Sequence, residues 1–246
     1  MANPKFRADQ LLVEQGLAES RERAKRLVMA GQVFLTQDGR RERLDKPGRM
    51  LPALAELSLA EPERFVSRGA YKLLSALEHF KLDVTGAVAL DVGGWWGGFT
   101  DCLLQHGASK VYAVDVGKSQ LHEKLRADER VVSLEGVNFR LAQPDLIPEK
   151  VDVCVIDVSF ISLTKVLPAV RQFLKPGGRI IALVKPQFEL GPGQTDKGVV
   201  RDEGLRMLAV QMVEAAAREL GMDPAGMVPA GVKGPKGNQE YLLLLR

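Results

Sequence analysis

Two spacings of apolar residues alternate along most of this chain, and together they predict an α/β protein. Between Arg68 and Phe80, Leu73, Leu74 and Leu77 fall on one face of a helix. The run Ala87 to Val92 is apolar but for Asp91, as expected of a strand buried on both faces. The same two patterns then repeat: a helix over Phe99 to Gln105, a strand over Val111 to Asp115, a helix near Ser119 to Leu125, and a strand around Val131 to Leu134. Strands over Val151 to Ile156 and Ile180 to Val184 follow, with helices at 161–174 and 203–220, and a last hairpin runs from Met227 through Gly231 to the strand Tyr241 to Leu245. The pattern predicts about seven strands in a doubly wound sheet, all parallel except the last.

The first 60 residues read differently. Ala8, Leu11 and Leu12 form one helical stripe that Gly16 ends, and Ser20 can cap a second helix whose apolar face is Ala24, Leu27 and Val28. Val33 to Leu35 is a short strand, Asp38-Gly39 its hairpin turn, and Glu56 to Leu59 a further strand. Pro47, Gly48, Pro52 and Pro62 mark a linker, which predicts two domains, 1–62 and 63–246.

Charge sharpens that division. Residues 1–49 carry eleven Lys/Arg against seven Asp/Glu, a net +4 in a chain of net +3, so the remainder is close to neutral. A small basic module ahead of a larger neutral one suits nucleic-acid affinity held in an appended domain, although a solvated charged face has the same composition. Only Cys102 and Cys154 are cysteines, neither in a CxxC pair, and His79, His106 and His122 have no ligand-spaced partners. No metal site or disulfide framework is expected. No signal-like start and no apolar run of membrane length is visible, which predicts a soluble cytoplasmic protein with no membrane partner.

Four ionisable residues stand out against this pattern. Asp157 and Lys185 end two buried strands, Glu240 begins the last one, and Lys72 lies on the helix after residue 68. If the last strand is antiparallel, its start meets the other strands' ends, at the edge where open α/β sheets bind ligands. Two amines and two carboxylates gathered there suggest proton abstraction and charge stabilisation. The loop Gly93-Gly94-Trp95-Trp96-Gly97-Gly98 lacks the G-x-G-x-x-G spacing of a dinucleotide site, which disfavours NAD.

The arrangement of Asp91, Gly93 and Gly97 instead resembles the S-adenosylmethionine loop of class I methyltransferases. Gly94, Gly98 and Phe99 then join the cofactor site with Asp157, and Asp115, twenty-four residues after Asp91, is placed to accept the ribose hydroxyls. In the first module, Arg7-Ala8-Asp9-Gln10-Leu11-Leu12, Ser20 to Ala24 and Ala30 to Val33 resemble the S-four (αL) RNA-binding domain. That resemblance implies RNA contacts by Arg7, Arg21, Arg23, Lys25, Arg26, Arg40 and Arg41.

Over nearly its full length the chain resembles the TlyA (haemolysin A-type) ribosomal RNA 2′-O-methyltransferases, which join such a domain to an FtsJ-like methyltransferase domain. The likeness rests on Arg68 to Leu73, Asp91-Val92-Gly93, Gly97 to Asp101, Asp157 to Ser162, Val184 to Glu189, Lys197 to Asp202 and Gly237 to Glu240. It implies a Rossmann-like fold, S-adenosylmethionine as cofactor, ribosomal RNA or ribosomal subunits as partner, cytidine as target, and a catalytic tetrad of Lys72, Asp157, Lys185 and Glu240. Lys185 is the expected base: burial and Lys72 favour its neutral amine, while Asp157 and Glu240 favour the ammonium. Asp157 and Glu240 are expected to orient the lysines and the hydroxyl, and Lys72 to stabilise the alkoxide or hold a phosphate.

One departure bears on activity. Where the family has small residues, this chain has Trp95 and Trp96, its only tryptophans. The indoles either fill cofactor space, leaving an RNA-binding module, or point away from it. The Gly191 to Arg201 segment reads as a mobile clamp placing Lys197 and Arg201 on RNA, or as an ordered connection. A membrane-lytic role, which the family's older name suggests, lacks a spanning or basic amphipathic segment.

Overall fold

The computed structural model describes residues 4–37, 39–60, 63–191 and 193–246. The chain's start, Asp38 of the predicted turn, Pro62 of the linker and Pro192 of the glycine-rich segment lie outside them. Two compact units divide after Arg64, two residues beyond the predicted boundary.

In the first unit, strand β1 (Lys5–Arg7) leads directly into helix α1 (Ala8–Glu14), and α2 (Arg21–Met29) starts at Ser20, whose Oγ accepts from the Arg23 N–H. Strands β2 (Val33–Gln37), β3 (Arg40–Arg43), β4 (Met50–Pro52) and β5 (Glu56–Leu59) complete it. The antiparallel order is β3-β2-β5, with β1 pairing β4 separately. The β1–β4 pair is an addition to the sequence reading. Strands of three residues carry too little periodicity to register. Ala8, Leu11, Leu12, Ala24, Leu27 and Val28 fill the core, as their stripes predict.

The second unit is a seven-stranded sheet. Helix α3 (Ala70–Phe80) precedes β6 (Val88–Val92), α4 (Gly98–Gln105), β7 (Lys110–Asp115), α5 (Glu123–Arg126) and β8 (Val131–Glu135). Then come β9 (Val151–Ile156), α6 (Leu167–Arg171), β10 (Leu174–Val184), α7 (Pro186–Glu189), α8 (Glu203–Glu219), β11 (Pro224–Pro229) and β12 (Tyr241–Leu245). The order is β11-β12-β10-β9-β6-β7-β8, and only β12 is antiparallel to its neighbours. Side chains alternate between two cores. Ala89, Val153, Val155, Ile181 and Leu183 pack against α3 and α4, whereas Leu90, Cys154, Ile156, Ile180 and Ala182 pack against α6 and α8. Burial on both faces is why these strands read as continuous apolar runs.

Two helices are shorter than the sequence reading. The one expected near Ser119 is the single turn α5, because Ser119 adopts a left-handed φ of 55° that a helix excludes. The one expected over 161–174 is a 3₁₀ turn, Leu163–Lys165, followed by α6, which starts afresh at Leu167 with Pro168 in its first turn, since proline has no N–H to continue the preceding turn. Among the described residues, no helix is long and apolar enough to cross a membrane, and no group of His, Cys, Asp and Glu could hold a metal ion.

Candidate active site

The carboxyl ends of β6, β7, β9 and β10 and the start of β12 share one edge of the sheet, and the four singled-out residues gather there as two pairs. Lys72 on α3 is buried and puts its Nζ 2.6 Å from Glu240 Oε2. Lys185, at the end of β10, puts its Nζ 2.6 Å from Asp157 Oδ1 and donates to Ser159 Oγ at 2.8 Å. Glu240 Oε1 also accepts from Gln187 Nε2 at 3.1 Å. Glu240 reaches this edge because β12 runs against β10, Val184 facing Tyr241.

The loop between β6 and α4 is shaped by two glycines. Gly93 has φ 88°, and a Cβ there would collide with the Asp157 carbonyl, so the chain can pass β9 only without a side chain. Gly97 has φ 87°, and its Cβ would meet Leu125 and Leu121. Asp115 ties the loop down, its Oδ2 accepting from the Trp95 N–H at 3.0 Å and its Oδ1 from the Gly117 N–H at 2.6 Å. This tether was not legible in sequence, where Asp115 reads only as a ribose ligand.

Two adjoining cavities open on the loop. One, of about 510 Å³, is bordered by Gly93, Trp95, Asp115, Gln120, Asp157 and Lys185. The other, of about 200 Å³, is bordered by Asp91, Gly93, Gly94, Gly97, Gly98 and Phe99. All the expected cofactor residues therefore line one of the two. Asp91 is fully buried; its Oδ2 accepts from Thr100 Oγ1 at 2.7 Å and its Oδ1 has no partner. Burial pushes its carboxyl up to about 7 against the opposing Thr100 hydrogen bond, and Asp157 and Asp115 push the same way.

The family model for FtsJ-like methyltransferases matches residues 65–246, the whole of the sheet unit. The chain belongs to the FtsJ-like methyltransferase family. Across 98% of its length it is 44% identical to the 16S/23S rRNA (cytidine-2′-O)-methyltransferase TlyA of Mycobacterium tuberculosis, covering 89% of that protein. It is 36% identical to Hemolysin A of Brachyspira hyodysenteriae over 96% of this chain and 98% of that one. A solved structure from Streptococcus thermophilus that carries a hemolysin name is 47% identical, with a TM-score of 0.74 over 99% of this chain and 89% of that one.

In this methyltransferase the tryptophans leave the larger cavity open, and both form part of the wall of the smaller one. Trp95 is 63% exposed on its wall, and Trp96, 48% exposed, stands edge-on to His122 with ring centroids 5.9 Å apart. Beyond Lys185 an open groove of about 670 Å³ carries Arg140, Lys165, Phe160 and Phe188. Phe160 is 90% exposed and has φ 62°, a strained conformation for an aromatic residue, with its ring 5.0 Å from that of Phe188. Sequence reasoning missed this pair; the signal available was a bulky aromatic three residues after the strand-end Asp157.

The Gly191 to Arg201 segment is an ordered connection in its later half, not a free clamp. Asn238, buried, accepts from the Val200 N–H at 3.0 Å and donates to the Gly198 carbonyl at 2.8 Å, and Asp196 bridges Val199. Arg201 pairs with Asp196 at 3.2 Å, and Lys197 is exposed.

In the first unit, Arg7 is a structural counter-ion, donating to both oxygens of the buried Asp9 at 3.0 and 2.8 Å and holding that carboxyl below the usual range. Arg21 supports it at 3.5 Å, and Lys25 pairs with Glu22 at 2.7 Å. Arg41 lies over the Phe34 ring at 4.1 Å. Arg23, Arg26 and Arg40 are exposed.

Proposed function

We propose that this methyltransferase uses S-adenosylmethionine to methylate a ribose 2′-hydroxyl of ribosomal RNA in the cytoplasm, with cytidine as the target that its relatives' names suggest. The observation that carries the reading is the setting of Lys185. A neutral amine has two N–H groups and one lone pair. Lys185 Nζ donates to Ser159 Oγ at 2.8 Å and lies 2.6 Å from Asp157 Oδ1 on the wall of the larger cavity, so that in its neutral form its lone pair can serve a hydroxyl brought there.

The cofactor fits the residues present. The partnerless Asp91 Oδ1 suits a cationic amino group, Asp115 suits a ribose hydroxyl, and a cavity of about 510 Å³ is of small-ligand size. When bound, S-adenosylmethionine supplies an electrophilic methyl group on sulfur. The chain's own part is to take the proton from the 2′-oxygen onto Lys185 Nζ, where Asp157 stabilises the ammonium, while the Lys72–Glu240 pair holds a fixed positive charge for the developing alkoxide.

RNA is assigned to three places. The exposed Arg23, Arg26 and Arg40 belong to a first unit we read as S-four-like, where Arg21, Lys25 and Arg41 add charge. Lys197, exposed, and Arg201, paired with Asp196, are the cations of the Gly191 to Arg201 segment. Phe160 offers its face to an unstacked base, since every base can stack on an aromatic ring.

The test is transfer of a labelled methyl group from S-adenosylmethionine to ribosomal subunits lacking the modification, followed by mapping of the modified ribose. Label on a 2′-oxygen supports the reading. Cofactor binding with no label on any ribosomal RNA would refute it.

A further inference from the structure

Asp115 alone does not complete the larger cavity's polar wall. Both its oxygens are engaged by loop N–H groups, from Trp95 and Gly117. Beside it Gln120 borders the same cavity, and the Gln120 Oε1 is buried without a hydrogen-bond partner. A buried carbonyl oxygen with no donor is costly, and such groups in folded proteins call for an explanation.

The backbone around Gln120 is arranged to hold it there. Ser119, immediately before it, is left-handed at φ 55°, and its N–H is held by Glu135 Oε2 at 2.6 Å. A Cβ on Gly117 would come within 2.9 Å of the Gln120 amide carbon and 3.0 Å of Asp115 Oδ1, so the two acceptors flank one bare stretch of backbone. Strain at Ser119, a bare approach at Gly117 and an orphaned acceptor on the cavity wall converge on one residue.

We infer that Gln120 is a nucleoside-recognition residue, its amide oxygen accepting a hydrogen bond from a ribose hydroxyl of the ligand in the Asp115 cavity. The inference rests on the cofactor reading above and extends it: Asp115 shapes the loop and takes one hydroxyl, and Gln120 takes the other. Gln120 contacts the nucleoside end of the ligand and has no part in proton transfer.

Calorimetric titration of the full chain with S-adenosylhomocysteine, 5′-methylthioadenosine and its 2′,3′-dideoxy analogue tests this. Gln120→Ala should weaken the two ribose-bearing probes roughly 10-fold, the effect of one hydrogen bond, and leave the dideoxy analogue within about twofold. Gln120→Glu, which keeps an acceptor, should restore most of the lost affinity. Equal binding of S-adenosylhomocysteine by parent and Gln120→Ala would overturn the inference alone. So would an equal loss for all three probes, the mark of a distorted loop. Failure of the parent to bind any probe would overturn the cofactor reading, and the inference with it.

Discussion

Lys72 and Glu240 are 168 positions apart in the chain, yet their charged atoms lie 2.6 Å apart in a buried setting. Neither charge has water to fall back on, so each depends on the other. Glu240→Ala should therefore cost about 3–5 kcal/mol of stability by leaving a buried ammonium unpaired. The double variant Lys72→Met, Glu240→Met should recover much of that loss while remaining inactive. Urea unfolding checks both; a single variant as stable as the parent would show that the pair is not closed in solution.

Lys185 should be separable from folding. Lys185→Met removes the amine but keeps the apolar stem, and we expect methyl transfer to ribosomal subunits to fall at least about 100-fold, the usual scale for a positioned base. Cofactor affinity should stay within a few-fold. Lys185→Arg, which keeps charge but cannot act as a base near neutral pH, should be as inactive as the methionine variant. Activity retained in Lys185→Arg would move the base to another residue.

Asp91 links stability to pH. Its folded value of about 7 lies above the ordinary 3.8, so between those values the folded chain keeps a proton that the unfolded chain has released. Stability should fall as pH rises through that window, by up to about 1.4 kcal/mol per pH unit for one group. Asp91→Asn should flatten this part of the profile. Unfolding midpoints at pH 5, 6 and 7 for both chains give the answer, and parallel profiles would show that Asp91 is ionised throughout.

Trp95 borders both cavities, whereas Trp96 borders only the smaller one and faces His122, so the two indoles should report differently on ligand. Titration with S-adenosylhomocysteine should change the fluorescence of the parent and of Trp96→Phe strongly, and that of Trp95→Phe less. Because both indoles are largely exposed, neither substitution should shift stability by more than about 0.5 kcal/mol. A silent parent that still binds by calorimetry would place the ligand away from Trp95.

Gly93→Ala should damage the site more than its size suggests. The added methyl meets the Asp157 carbonyl at a left-handed backbone position, so the loop must move away from β9 and carry the Trp95 N–H off Asp115. Loss of cofactor binding with a folded far-ultraviolet spectrum is the expected result, and unchanged binding would contradict the close packing of loop and strand.

The strand ends were legible because burial on both faces writes a continuous apolar run, and an acid or lysine that ends such a run announces itself. Asp115, Asp157 and Lys185 were found that way, and Asp91, inside its strand, through its spacing to Gly93 and Gly97. Helix limits were less legible where a local conformation overrode the pattern, as Ser119 and Pro168 did. Arg7 illustrates another limit: composition counts it as a free cation, but Asp9, two residues away, consumes it.

The sequence by itself determined the alternation of helix and strand, the glycines of the loop and the identity of the four ionisable residues. Periodicity records which face of an element is buried and where the element stops, and those are local facts. The tertiary structure alone decided that the four form two pairs, Lys72 with Glu240 and Lys185 with Asp157, and that Gln187, Ser159, Phe160 and Gln120 surround them. Partnership depends on strand order, above all on β12 entering antiparallel between β10 and β11, and no local pattern encodes which distant side chain will arrive within hydrogen-bonding distance.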